Sequence, residues 1–148
     1  MTVTPDHVTA LRAALSGDAG AFEHMERQAD LGHSQEFPAL MAAAFTAAVR
    51  SRFPGEWSVA DVIKFVAQVR VWNSDAYGGL SPSLAEQLIL CALRGTPVPG
   101  RYDEVAKAYT QFMLLKDIAS DLDDQQLEML LTKAQNGADR WIAETAGP

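Results

Sequence analysis

Apolar residues in this chain return at steps of three and four, the spacing that lines one face of an α-helix. The strongest run sets Phe37, Leu40, Met41, Ala44, Phe45, Ala48, Val49 and Phe53 in one stripe, with Ala39, Ala42, Ala43 and Ala47 on the other faces. Small residues beside an apolar stripe let neighbouring helices approach from more than one side. Residues 36–53 are therefore expected to form the central helix of a bundle, ended by Pro54-Gly55.

The same periodicity predicts helices on both sides of it. Thr4-Pro5-Asp6 offers a capping hydroxyl, a proline at the first helical position and a carboxylate at the positive end of the helix dipole. Val8, Leu11, Ala14 and Leu15 then share a face. Asp18 opens a second helix carrying Phe22, Met25 and Ala29, which Leu31-Gly32-His33 breaks. After the central helix, Ser58-Val59-Ala60-Asp61 forms a capping box with aspartate in place of the usual glutamate. Val59, Val62, Ile63, Val66, Val69 and Val71 are β-branched, yet Asp61, Lys64, Gln68 and Arg70 do not alternate as a strand requires, so this segment is expected to be helical.

Ser81-Pro82 repeats the hydroxyl-and-proline start, and Leu84, Leu88, Cys91 and Ala92 make the face of that helix. The next is expected from about Tyr102 through Val105, Tyr109, Phe112, Met113 and Leu115. In the last, Leu127, Leu130, Leu131, Ala134, Ala138, Trp141 and Ile142 keep phase across Asn136-Gly137. That phase places the glycine inside the helix, at a cost of about 1 kcal/mol against alanine. The turn-rich segment from Asn73 to Gly79 and the proline-stiffened Thr96-Pro97-Val98-Pro99-Gly100 are connectors. The expected fold is all-α: an irregular bundle of six or seven helices, with residues 1–148 as a single domain.

Composition supports a packed core, since 48% of the 148 residues are apolar and 21% charged. Cys91 is the only cysteine and lies in an apolar run, which predicts a buried small hydrophobe and no internal disulfide. No apolar stretch approaches the roughly 20 residues of a membrane helix. The first residues, from Met1 to Asp6, lack the basic start and apolar core of a signal peptide, so a cytoplasmic protein with no membrane association is expected. The net charge of −7 repels phosphate backbones and argues against nucleic acid.

Candidate chemistry is sparse. His7, His24, His33 and Cys91 show neither CxxC nor HExxH spacing, and the glycine between Asp30 and His33 ends the helix that would align them. The serine elbow GxSxG and the phosphate loops GxxxxGK[ST] and GxGxxG are absent, and Asp123-Asp124 with Glu128 does not follow the EF-hand order. The helix after Ser81-Pro82 carries Glu86 and no cation before Arg94, unlike a DNA-recognition helix. Ser74 precedes its aspartate, the reverse of a carrier-protein attachment site. No catalytic, cofactor-binding or metal-ligating residue is assigned, and no cofactor is expected.

The best pointer to a partner is the acidic stretch Asp117, Asp121, Asp123, Asp124 and Glu128, a local excess of carboxylates that can steer a basic protein surface. Capping and the helix dipole offer these residues a purely structural role. Arg50, Arg52, Lys64 and Arg70 give two helices basic edges, and a cation near a helix C-terminus satisfies the dipole without a ligand. Trp57, Trp72 and Trp141 are expected in the core or at its rim.

The segment Ala42-Ala43-Ala44-Phe45-Thr46-Ala47-Ala48-Val49-Arg50-Ser51-Arg52-Phe53, with Ser58-Val59-Ala60-Asp61-Val62-Ile63-Lys64-Phe65-Val66 and Ala85-Glu86-Gln87-Leu88-Ile89, resembles small helical proteins of unknown function from actinobacteria. The resemblance lies in core positions across the middle half of the chain. It implies a helical fold and brings no activity, cofactor or catalytic residue. The expected role is a protein-interaction or regulatory module, of adaptor, inhibitor or immunity type, with a basic protein as partner and a homo-oligomer left open. The alternative is a helical small-molecule-binding protein, or an enzyme without a recognised motif, using a pocket between the central helix and its neighbours.

Overall fold

In a computed structural model that describes residues 5–15, 36–72, 81–98, 100 and 102–145, the helical periodicity is realised in six elements. These are α1 (Pro5–Leu15), α2 (Glu36–Arg52), α3 (Val59–Trp72), α4 (Pro82–Arg94), α5 (Glu104–Ser120) and α6 (Asp124–Thr145). The described residues include no strand, so the fold is all-α. The helix expected from Asp18 to Ala29, the cap at Thr4 and the turn from Asn73 to Gly79 lie outside the described residues, as do the side chains of Phe37, Trp72 and Val105. Among the described residues no helix is long and apolar enough to cross a membrane.

Side chains in the first turn set where the helices begin, because the first backbone N–H groups of a helix lack internal partners. At α3 the Asp61 N–H donates to Ser58 Oγ at 3.2 Å and the Ser58 N–H donates to Asp61 Oδ2 at 3.0 Å, the reciprocal box expected from the sequence. At α4 the Leu84 N–H donates to Ser81 Oγ at 3.4 Å, with Pro82 at the first helical position. Helix α5 begins later than the expected Tyr102, because the Asp103 carboxylate accepts from the Ala106 N–H at 3.0 Å and so fixes the start at Glu104. Helix α4 closes on Gly95, whose φ of 70° is a left-handed conformation that glycine adopts without strain.

Helix α2 is the packing centre, in contact with α1, α4, α5 and α6. Leu40, Ala44, Phe45, Ala48 and Val49 are buried along it, while Ala42 is exposed and Ala43 and Ala47 are half-buried. Its most extensive partner is α6, which runs antiparallel to it: Pro38 and Ala39 share a groove with Trp141, and Ser51 shares one with Met129. Gly137 falls within α6, and a Cβ built there would lie 3.6 Å from the Ala43 Cβ.

The β-branched run of α3 divides between two faces. Val62, Phe65, Val66 and Val69 are buried, whereas Val59, Ile63 and Val71 are exposed. The ring of Phe65 meets that of Phe53 edge-on at 5.5 Å, which joins α3 to the end of α2. Cys91 is buried, as expected, and its Sγ donates to the Pro97 carbonyl at 3.5 Å.

Two substitutions test this packing. Phe45 is 2% exposed at the middle of α2, so Phe45→Ala should destabilise the protein by about 3 to 5 kcal/mol, read as a lower denaturant midpoint. Gly137→Ala should act in the opposite sense. The added Cβ meets Ala43 at ordinary van der Waals distance, so the gain in helix propensity should raise stability by up to about 1 kcal/mol in the same assay.

Candidate functional site

The five carboxylates of the acidic stretch fall into separate settings. Asp123 caps α6: its Oδ1 accepts from the Gln126 N–H at 2.7 Å, and its own N–H donates to Gln126 Oε1 at 3.0 Å. Asp124 follows in the first turn, at the positive end of the helix dipole. Glu128 engages Arg12 of α1 through two contacts, Nε to Oε1 and Nη2 to Oε2, each of 2.8 Å. Both partners are largely exposed, so this two-pronged ion pair between α1 and α6 contributes roughly 0 to 1 kcal/mol.

Asp117 and Asp121 border a cleft of about 500 Å³ together with Arg52, Lys116 and Phe65. The Arg52 guanidinium lies 5.2 Å from the Phe53 ring centroid and 5.1 Å from that of Phe65. Burial raises the Asp117 carboxyl above the usual carboxylate range and Asp121 raises it further, while Arg52 opposes both. Cations therefore stand beside the acidic residues on two sides, Arg52 and Lys116 at the cleft and Arg12 at Glu128.

A larger concavity, a groove of about 1060 Å³, runs between α2 and α6. Ala39, Ala42, Ala43 and Ala47 from α2 and Gly137 from α6 make a floor with few protruding atoms. The inward face of α6 carries Leu130, Leu131, Ala134, Ala138 and Ile142, which are buried. Helical spacing places Lys133, Gly137, Arg140 and Trp141 on the adjacent face, where they line the groove. Trp141 is 47% exposed, which places it outside the buried core, at most at its rim. Trp57, by comparison, is half-buried against the core with Arg94 5.8 Å from its ring centroid.

Among the described residues three cations line the groove, Arg50 and Lys133 towards one end and Arg140 towards the other, with no carboxylate beside them in the lining. In a chain of 19 acidic and 12 basic residues this is a local reversal of charge. Arg50 also donates from Nε to the Ala92 carbonyl at 3.3 Å, so it serves the C-terminus of α4 and not only that of its own helix. The lining offers hydroxyls at Thr46 and Ser51 and an amide at Asn136, and among the described residues no histidine, cysteine or carboxylate stands beside them to act as a base. Such a surface can cover apolar groups and attract negative ones. Among the described residues no group of three or more His, Cys, Asp and Glu side chains is placed to hold a metal ion.

In the sequence Arg50 reads as a helix-end cation and Trp141 as core or rim packing, and no local pattern marks Lys133 or Arg140. The residues of the groove come from segments about 90 positions apart, and only the pairing of α2 with α6 brings them together.

Asp117 offers a test of the cleft electrostatics. Because its carboxyl binds a proton more tightly in the folded protein than in the unfolded chain, its ionisation opposes folding. The favourable contribution is complete below the ordinary carboxylate pKa and is lost as pH rises through the raised folded value. Asp117→Asn should therefore unfold at a higher urea concentration than wild type at neutral pH, and this advantage should disappear near about pH 3. No family model matches the chain, and no curated protein or solved structure matches it either.

Proposed function

We propose that this chain is a cytoplasmic protein-interaction module, of adaptor or inhibitor type, that receives its partner in the groove between α2 and α6. The observation that carries this reading is the pairing, in one concavity, of an alanine and glycine floor with an exposed tryptophan and three cations, with no carboxylate among the described lining residues. Tryptophan and arginine are enriched among the residues that dominate binding at protein interfaces. From Pro38 to Ser51 the groove follows α2 for about 20 Å at the helical rise of 1.5 Å per residue. Small-molecule pockets hold about 300 to 1,000 Å³ and enclose most of their ligand. An open trough of this length suits an extended or helical segment better.

The sequence alone favoured the acidic stretch as the docking surface for a basic protein. Its carboxylates have local work in the fold: Asp123 in a cap, Glu128 in an ion pair, and Asp117 and Asp121 beside Arg52 and Lys116. Their field is therefore partly offset where they stand, and the groove takes precedence as the interaction surface. The single cysteine, buried as a thiol, accords with a reducing compartment.

A photo-crosslinking residue placed at Ala42, in the groove and exposed, tests the reading against the same residue placed at the exposed Ala67 of α3. The Ala42 position should yield a discrete protein adduct that the Ala67 position does not. The protein so identified should bind the purified chain, and charge reversal at Lys133 and Arg140 should abolish the adduct. Equal labelling from both positions, or none from Ala42, would refute the module. A small molecule of fixed mass retained in the native mass spectrum, and released by the same charge reversal, would assign the groove to a small ligand instead.

A further inference from the structure

Resting on that reading, we infer that the groove takes an amphipathic helix of acidic character, supplied by another protein. The floor determines what shape fits. Ala39, Ala42, Ala43 and Gly137 end at Cβ or before it, so the trough supplies holes and the occupant must supply knobs. A helix with leucine, methionine or phenylalanine at positions i, i+3 or i+4, and i+7 presents such knobs in one line. Its axis can run along the seam of the antiparallel α2–α6 pair as a third member, with Trp141 as a rigid apolar wall at one end.

Charge determines the sign. Lys133 and Arg140 stand seven residues apart on α6, a separation of about 10.5 Å along the axis and close to two helical turns. Carboxylates seven residues apart on a docked helix have the same separation, so one occupant can meet both cations in register. Arg50 adds a third positive group near Lys133. A basic or neutral helix would leave three cations facing like charge or no charge across a desolvated contact, which is unfavourable. The net charge of −7 on the whole chain repels an acidic partner at long range, so recognition depends on the groove itself and is expected to be short-ranged and salt-sensitive.

The test uses the full chain and three synthetic helical peptides of about four turns: one with apolar anchors at heptad-like spacing and glutamates on its flanks, one with those glutamates changed to lysine, and one that keeps the glutamates but has serine at the anchors. Calorimetric titration should detect the acidic amphipathic peptide alone. The double variant K133E/R140E should weaken it by about tenfold or more, and raising the salt concentration should weaken it in wild type. Ala42→Trp, which fills the exposed floor without entering the core, should abolish binding while leaving the thermal midpoint in place. Binding of the lysine peptide at equal strength, or of the serine-anchored peptide, would overturn the inference. So would silence from all three peptides, including the case in which monomeric decyl sulfate binds instead and marks the groove as an amphiphile site. If the Ala42 crosslink captures a protein whose contact segment is basic or non-helical, the interaction module stands and only this assignment of its partner fails.

Discussion

The closeness of α2 and α6 governs the architecture. A Cβ on Gly137 would touch that of Ala43, and side chains larger than methyl at that crossing would hold the helices apart. In their close antiparallel contact Ala43 of α2 lies against Gly137 of α6, while α2 also contacts α4 and α5. The buried faces of the described helices thereby join in one hydrophobic core. Glycine within a helix lowers intrinsic stability, and packing of the amphipathic faces compensates for it.

The same small residues that permit this contact also shape the surface beside it. Two helices in close contact through large side chains fill the seam between them, whereas an alanine flank leaves a trough along the seam. The trough is therefore a by-product of how the core is built, and what gives it character is the face of α6 that borders it. Lys133 lies about two turns from the adjacent Arg140 and Trp141, and all three are exposed and have no part in the buried face of that helix.

Charge in this protein is sorted by local structure and not by its average. Most of the acidic stretch is occupied at the α5–α6 junction, where a carboxylate at a helix start satisfies backbone donors and the dipole, and where arginines from α1 and the end of α2 lie close by. The half-buried Asp117 holds its proton more tightly than a solvated carboxyl for lack of full solvation, and Arg52 stands close enough to oppose that shift. Among the described residues the groove shows the opposite balance, with Arg50, Lys133 and Arg140 in its lining and no carboxylate.

Helical periodicity, caps and breakers are local properties, and the sequence by itself determined what depends on them. The all-α class, the central helix near residues 36–53, the box at Ser58 and Asp61, the start at Ser81-Pro82 and the place of Gly137 inside the last helix all follow from contacts within a few residues. The cap of α5 at Asp103 and the capping box of Asp123 with Gln126 are local as well, since aspartate at a helix start is a sequence signal, although apolar spacing alone points to a start of α5 near Tyr102. Tertiary structure alone decided that Ala43 of α2 meets Gly137 of α6, that Glu128 pairs with Arg12 across more than a hundred positions, and that Val59, Ile63 and Val71 face outward although they belong to the same β-branched set as the buried Val62, Val66 and Val69. The groove belongs to this second kind: the phase of a helix says which residues share a face, but which faces meet is decided by competition among all the helices for burial, and that competition is settled only in the packed chain.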